Sequence, residues 1–147
     1  MPKKVVVVLS NPISPDREDD FNDWYTKAHL PDVLAIDGMV ASTRYRLSEA
    51  QSLPGPAPYR YLALHEIADE VEVDAVVAGL REARIAGRAG VHDSYDNSQL
   101  FCWYFEPIGE RITLEAAVEM RSHPDYSRLK AEERPVTELP HSGGARP

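Results

Sequence analysis

The run KVVVVL at residues 4–9 is apolar at almost every position and β-branched at four of them, so a strand built from it has no polar face to turn to water. Such a strand belongs in the interior of a sheet. The SNPISP that follows ends it in a turn. With 147 residues the chain suits one domain, large enough to bury a core around that strand without disulfides or a structural metal.

The next segment reads as a helix. Ser14 is placed to cap it, Pro15 suits the first helical position, and Asp16, Glu18, Asp19 and Asp20 crowd the first turn, where the helix dipole favours negative charge. Phe21, Trp24, Tyr25 and Ala28 then recur at the spacing of one buried stripe, and the step from Tyr25 to His29 extends it by a turn. Pro31 lacks an N–H, so the helix is expected to kink or restart there before Asp37-Gly38 ends it, with Asp32 a turn from His29.

From Met39 to Leu47 the text alternates, setting Met39, Ala41, Thr43, Tyr45 and Leu47 against Val40, Ser42, Arg44 and Arg46, the pattern of a strand with two unlike faces. A Pro/Gly/Ser loop leads to a third strand, YRYLALHEI, with Tyr59, Tyr61, Ala63 and His65 on one side. Asp69 and Glu72 have capping-box spacing, and Val73, Val76, Val77, Leu80 and Arg84 follow at helical spacing to an end near Gly87 or Gly90. The loop VHDSYDNS reads as a cap over whatever lies beneath it, and the aromatic QLFCWYFEP as a fourth strand. Residues 1–112 thus form one domain. Residues 113–147 read as a C-terminal extension with a short helix in ERITLEAAVEMR, a polar stretch and a mobile tail.

The order βαββαβ is that of a ferredoxin-like α+β sandwich, a four-stranded antiparallel sheet with two helices on one face. The other face needs cover, and a two-fold partner is the usual solution, so a homodimer is expected. A net charge of −8 argues against nucleic-acid and anionic-membrane partners. The single Cys102 forms no intramolecular disulfide, and MPKKVVVVLS is too short in its apolar part for a signal peptide; both fit a cytoplasmic protein. Five scattered histidines show no HxxxH or HExxH spacing, and Walker, GxGxxG and GxSxG motifs are absent, so no metal or cofactor is expected from motifs.

Three segments, FNDWYTKAHLPDVLAIDGMVASTRYRL, YRYLALHEI and YFEPIGERI, resemble the dimeric α+β barrel superfamily, in particular its EthD-type branch. The resemblance spans about residues 3–112, and its distinctive pieces are W-Y-x-x-x-H-L-P and E-P-I-G-x-R. It implies a barrel formed by two subunits, with an apolar cavity between each sheet and its helices. The superfamily includes cofactor-free monooxygenases, polyketide cyclases, muconolactone isomerases, dehydratases and haem-binding members, so the fold alone selects no reaction. At position 65 this sequence has histidine where an aromatic residue is expected for the branch.

His29, a polar tip on an aromatic stripe, reads either as a base kept neutral by burial or as a packing histidine bonded to a carbonyl or carboxylate. His65 reads either as its acid or partner across a cavity or as an interface residue. Trp24, Tyr25, Asp32, Tyr61, Trp103 and Tyr104 are the candidate substrate-binding residues. Arg44 and Arg46 share a strand face and read as solvated arginines of an edge strand. The chemistry these residues suit is cofactor-independent proton transfer (a lyase or dehydratase, isomerase or cyclase) on a hydrophobic, aromatic or polycyclic small molecule. The alternatives are a cofactor-free or haem-dependent monooxygenase and a non-catalytic small-molecule-binding accessory protein.

Overall fold

The computed structural model describes residues 1–136. Four strands, β1 (Lys4–Ser10), β2 (Met39–Arg46), β3 (Tyr61–Ile67) and β4 (Phe101–Phe105), form one sheet in the order β2-β3-β1-β4, with every pair antiparallel. The valine-rich β1 lies inside the sheet, as its two apolar faces require. The helices α1 (Glu18–Trp24), α2 (Leu30–Leu34) and α3 (Val73–Ile85) come from the two βαβ crossovers. The architecture is the α+β, ferredoxin-like βαββαβ expected from the sequence.

Between α1 and α2 the chain stays helical but widens into a π segment, Tyr25–His29, closed by a bond from the Leu30 N–H to the Tyr25 carbonyl. In a regular α-helix the ring of Pro31 collides with the carbonyl four residues back; the extra residue in the turn makes room for it. The expected restart at Pro31 therefore falls at Leu30. One consequence is a shift of the buried stripe. Phe21 and Tyr25 are buried but Ala28 is exposed, and the stripe continues through His29 and Val33.

Strand β2 departs from simple alternation. A bulge between Met39 and Ala41 inserts one residue, so Met39 joins Ser42 and Arg44 on the helix side while Ala41, Thr43 and Tyr45 face the other way. Strand β3 begins at Tyr61, and Tyr59, ahead of it, packs its ring on Phe101 of the outer face. On the helix side β3 carries Tyr61, Ala63, His65 and Ile67, all buried. Helix α3 starts after Glu72, which stands at the N-cap without a side-chain bond, so the helix begins three residues later than a capping box at Asp69 would start it, and Asp69 pairs with Lys3. It buries Val76, Leu80 and Ala83 while Val77 stays exposed.

The core lies between the helices and the inner sheet face, with Val6, Phe21, Tyr25, Ile67 and Val76 essentially inaccessible. Arg44, half-buried, packs against it. Its guanidinium lies 4.4 Å from the Tyr25 ring centre and donates to Asn22 Oδ1 at 2.8 Å and Thr26 Oγ1 at 3.0 Å. This corrects the expectation of a solvated arginine, which holds for Arg46 alone. Arg44 fastens α1 and the π segment to the sheet.

The outer sheet face is open. Phe101, Trp103 and Phe105 of β4 and Tyr45 of β2 are between 40% and 53% exposed there. Beyond β4 the extension holds two short helices, α4 (Leu114–Met120) and α5 (Pro124–Ala131), neither with a buried residue. The second was not expected in that polar, proline-bearing text; Pro124 stands at its first position, where a missing N–H costs nothing. The expected mobile tail, HSGGARP, lies outside the described residues. Among those residues no helix is long and apolar enough to cross a membrane.

Candidate active site

A cavity of about 340 Å3 opens between the inner sheet face and the helices, within the size range of small-molecule sites. Val6 and Val8 of β1 and His65 of β3 form its floor. His29, Val33, Leu80 and Arg84 come from the helices, Trp24 from the end of α1, and Tyr95, Asn97 and Leu100 from the loop before β4. That loop, which holds HDSY, contributes Val91 and Tyr95 to the lining as well as Asn97. It is held by a bridge between Pro12 and Tyr95 and by a bond from the Ile13 N–H to the Ser94 carbonyl at 2.6 Å.

His29 reaches the cavity because the π segment brings it round onto the buried stripe. Its ring packs 4.8 Å from that of Trp24 and 4.7 Å, edge to face, from that of Tyr25. Nδ1 is buried without a hydrogen-bond partner among the described residues, and the ring lines the cavity. Burial, then the nearby His65, then Arg84 and Arg44 pull its pKa from 6.5 down to about 4. The imidazole is neutral at pH 7.

His65 is held differently. On the floor of the cavity and 2% exposed, it is joined through Nδ1 to Ser42 Oγ at 2.7 Å, the two residues being directly paired across β2 and β3. This bond fixes the ring plane, and the hydroxyl, able to donate or accept, suits either neutral tautomer. Burial brings its pKa to about 4. Two neutral histidines, one hydrogen-bonded to Ser42 and one held by ring packing with its Nδ1 unpartnered among the described residues, therefore line one hollow.

Trp24 is the hub of the aromatic wall, its ring also 5.7 Å from that of His92 and 5.8 Å from that of Tyr95. Tyr25 lies beneath the wall, fully buried, with its hydroxyl pushed up to about 12 by burial. The remaining expected residues stand elsewhere. Asp32 is exposed and borders a separate hollow with Ile36, Gly79 and Arg88, because the buried stripe of α2 runs through its neighbour Val33. Tyr61 faces inward, but its hydroxyl donates to Glu18 Oε1 at 2.6 Å and accepts from Asn22 Nδ2 at 3.0 Å, away from the cavity. Trp103 is on the open face, 49% exposed. Tyr104 points to the helix side with Cys102 and flanks the cavity without lining it. Adjacent residues of a strand face opposite ways, so Trp103 and Tyr104 were never able to share one site.

Arg84, Tyr95 and Asn97 were missed as site residues. For Arg84 the signal was present in the sequence: it ends the apolar stripe of α3, a place where a cation needs a reason. Among the described residues no group of His, Cys, Asp and Glu side chains has the arrangement to hold a metal ion.

A four-stranded antiparallel sheet in this order, helices on one face and a histidine-bearing apolar hollow between them define a ferredoxin-like α+β protein with a small-molecule-sized site. No protein-family model and no curated protein matches the chain. Among solved structures it is similar to an ethyl tert-butyl ether D (EthD) family protein from Bacillus halodurans, at 15% identity and a TM-score of 0.51, over 74% of this chain and 100% of that one. It is also similar to HapK from Hahella chejuensis, at 17% identity and a TM-score of 0.44, over 75% of this chain and 97% of that one. The first likeness is one of fold, and agrees with the EthD-type resemblance of the sequence.

Proposed function

We propose that the protein is a cofactor-independent acid-base enzyme, a lyase or dehydratase, isomerase or cyclase, acting on a hydrophobic small molecule in this cavity. The observation that carries the reading is His29: a neutral imidazole that lines the cavity beside Trp24, with a buried Nδ1 that has no partner among the described residues and with His65 in the same wall. His29 is the base. A resting pKa of about 4 makes it a weak one in the empty site, but an enolate forming beside it favours the imidazolium and strengthens it as the proton moves. His65, oriented by Ser42, is the partner that donates to the substrate oxygen through Nε2 when its Nδ1 accepts the Ser42 hydroxyl proton. Trp24 supplies an aromatic surface for a flat substrate. We further propose a cytoplasmic homodimer joined through the open sheet face, where Phe101, Trp103 and Phe105 form an apolar stripe.

The test uses 2-tetralone, an enolisable bicyclic ketone. Proton NMR in D2O follows loss of the signal from the carbon beside the carbonyl, and ligand-observed NMR follows binding. Wild type should accelerate exchange above buffer, with His29→Ala and His65→Ala each falling toward the buffer rate while keeping the wild-type circular dichroism. Binding without acceleration would identify a carrier and reject the enzymatic reading. Unchanged exchange in His29→Ala would remove the base.

A further inference from the structure

Among the described residues Arg84 is the only one with a formal charge in the cavity wall, where none of them is an aspartate or glutamate and both histidines are neutral at pH 7. Its own helix offers it no carboxylate: one turn away in either direction are Leu80, Arg81, Gly87 and Arg88. Glu82, the nearest acid on α3, is taken by Arg88. Among the described residues Arg84 makes no ion pair, and the Cys102 thiol lies near enough to feel its charge. It is exposed, so its charge stays hydrated while the site is empty, yet it is felt at Tyr25, His29, Tyr95 and Tyr104. Arg44, the other nearby cation, lies outside the wall and is engaged by Asn22, Thr26 and the aromatic rings.

Resting on the reading of this cavity as a ligand site, we infer that Arg84 captures the carboxylate of an otherwise hydrophobic molecule, so that the site takes organic acids in preference to neutral compounds of the same shape. The planar guanidinium matches a carboxylate in a two-pronged pair. The body of the ligand extends inward over Val6, Val8, Val33 and Leu80, which leaves its reactive part between His29 and His65. Arg84 is thus a specificity-determining residue, setting which end of the ligand enters last.

The probes are 2-naphthoate and 2-naphthamide, alike in shape and different in charge, titrated into the full-length protein by calorimetry at pH 7.5. A charge-assisted pair of this kind is worth roughly tenfold or more in affinity, so wild type should favour the acid by at least that ratio. Arg84→Gln should collapse the ratio toward one, and Arg84→Lys should keep part of it. Arg88→Gln, the same change of charge one turn away and outside the cavity, should leave the ratio as in wild type. Equal binding of acid and amide by wild type would overturn the capture by Arg84 while leaving the cavity a ligand site. An equal loss of the ratio in Arg88→Gln would overturn it in favour of diffuse charge. Binding of neither probe by wild type would overturn both this inference and the cavity reading beneath it.

Discussion

Removing the titratable ring of His65 should flatten the acid side of the stability curve. In the unfolded chain this histidine has its ordinary pKa of 6.5, and in the fold burial brings it to about 4. The fold therefore refuses a proton that the unfolded chain accepts. Stability is full above pH 6.5 and falls as the pH drops toward 4, below which both states are protonated and the loss levels off. At about 1.4 kcal/mol per pH unit, the gap corresponds to about 3 kcal/mol lost between pH 7 and pH 4. The variant is His65→Phe, which keeps a flat ring of similar size. It strands the Ser42 hydroxyl at a cost of about 1 kcal/mol, but that cost is independent of pH and cancels when each protein is compared with itself. The assay is urea unfolding followed by tryptophan fluorescence at pH 7, 5.5 and 4, at one protein concentration because a dimer would make stability concentration-dependent. Wild type should lose about 3 kcal/mol more than the variant across that range, the part due to the carboxylates and to the burial of His29 being common to both, while the share of the His29 shift that comes from His65 leaves with it. A difference below about 1 kcal/mol would refute the reasoning, since it would mean that the folded protein accepts the proton on His65 without penalty.

Two further outcomes follow from the packing. Gly38 has φ +94°, and a Cβ built there lies 2.7 Å from Val71 Cγ1, so Gly38→Ala should destabilise the protein by about 1–3 kcal/mol in urea unfolding through strain and overlap together. Trp103→Glu, on the open sheet face, should convert a dimer into a monomer in light scattering at micromolar concentration; a mass unchanged from a dimeric wild type would place the interface elsewhere.

Much of the candidate site was legible because it rests on local rules. Period-3.6 spacing put Trp24, Tyr25 and His29 on an inward stripe, and period-2 alternation put His65 on the same strand face as Tyr61. What escaped was anything that depends on where one element meets another. Asp32 looked available to His29 by spacing, yet the π turn and the stripe through Val33 turn it toward α3 and solvent. Tyr61 has the right face but lies at the start of β3, where Glu18 and Asn22 occupy its hydroxyl. Arg44, read as solvated, is drawn under α1 by the ring of Tyr25, a contact 19 residues apart in the chain that no strand pattern contains. Arg84 was read as one more step in a helical stripe, and its isolation from carboxylates acquires meaning only beside the cavity.

By itself the sequence determined the order of elements, the interior position of β1 and the inward direction of His29 and His65, since these follow from side-chain size and from repeats of two and 3.6 residues within single segments. Tertiary structure alone decided that the two histidines share one hollow, that a bulge in β2 brings Met39 to the helix side, and that the loop of residues 91–97 contributes to the wall around them. Those outcomes depend on register and on packing between segments far apart in the chain. The physical reason is that the local pattern states which face of an element is buried, while the space left between two buried faces depends on all the side chains that fill it.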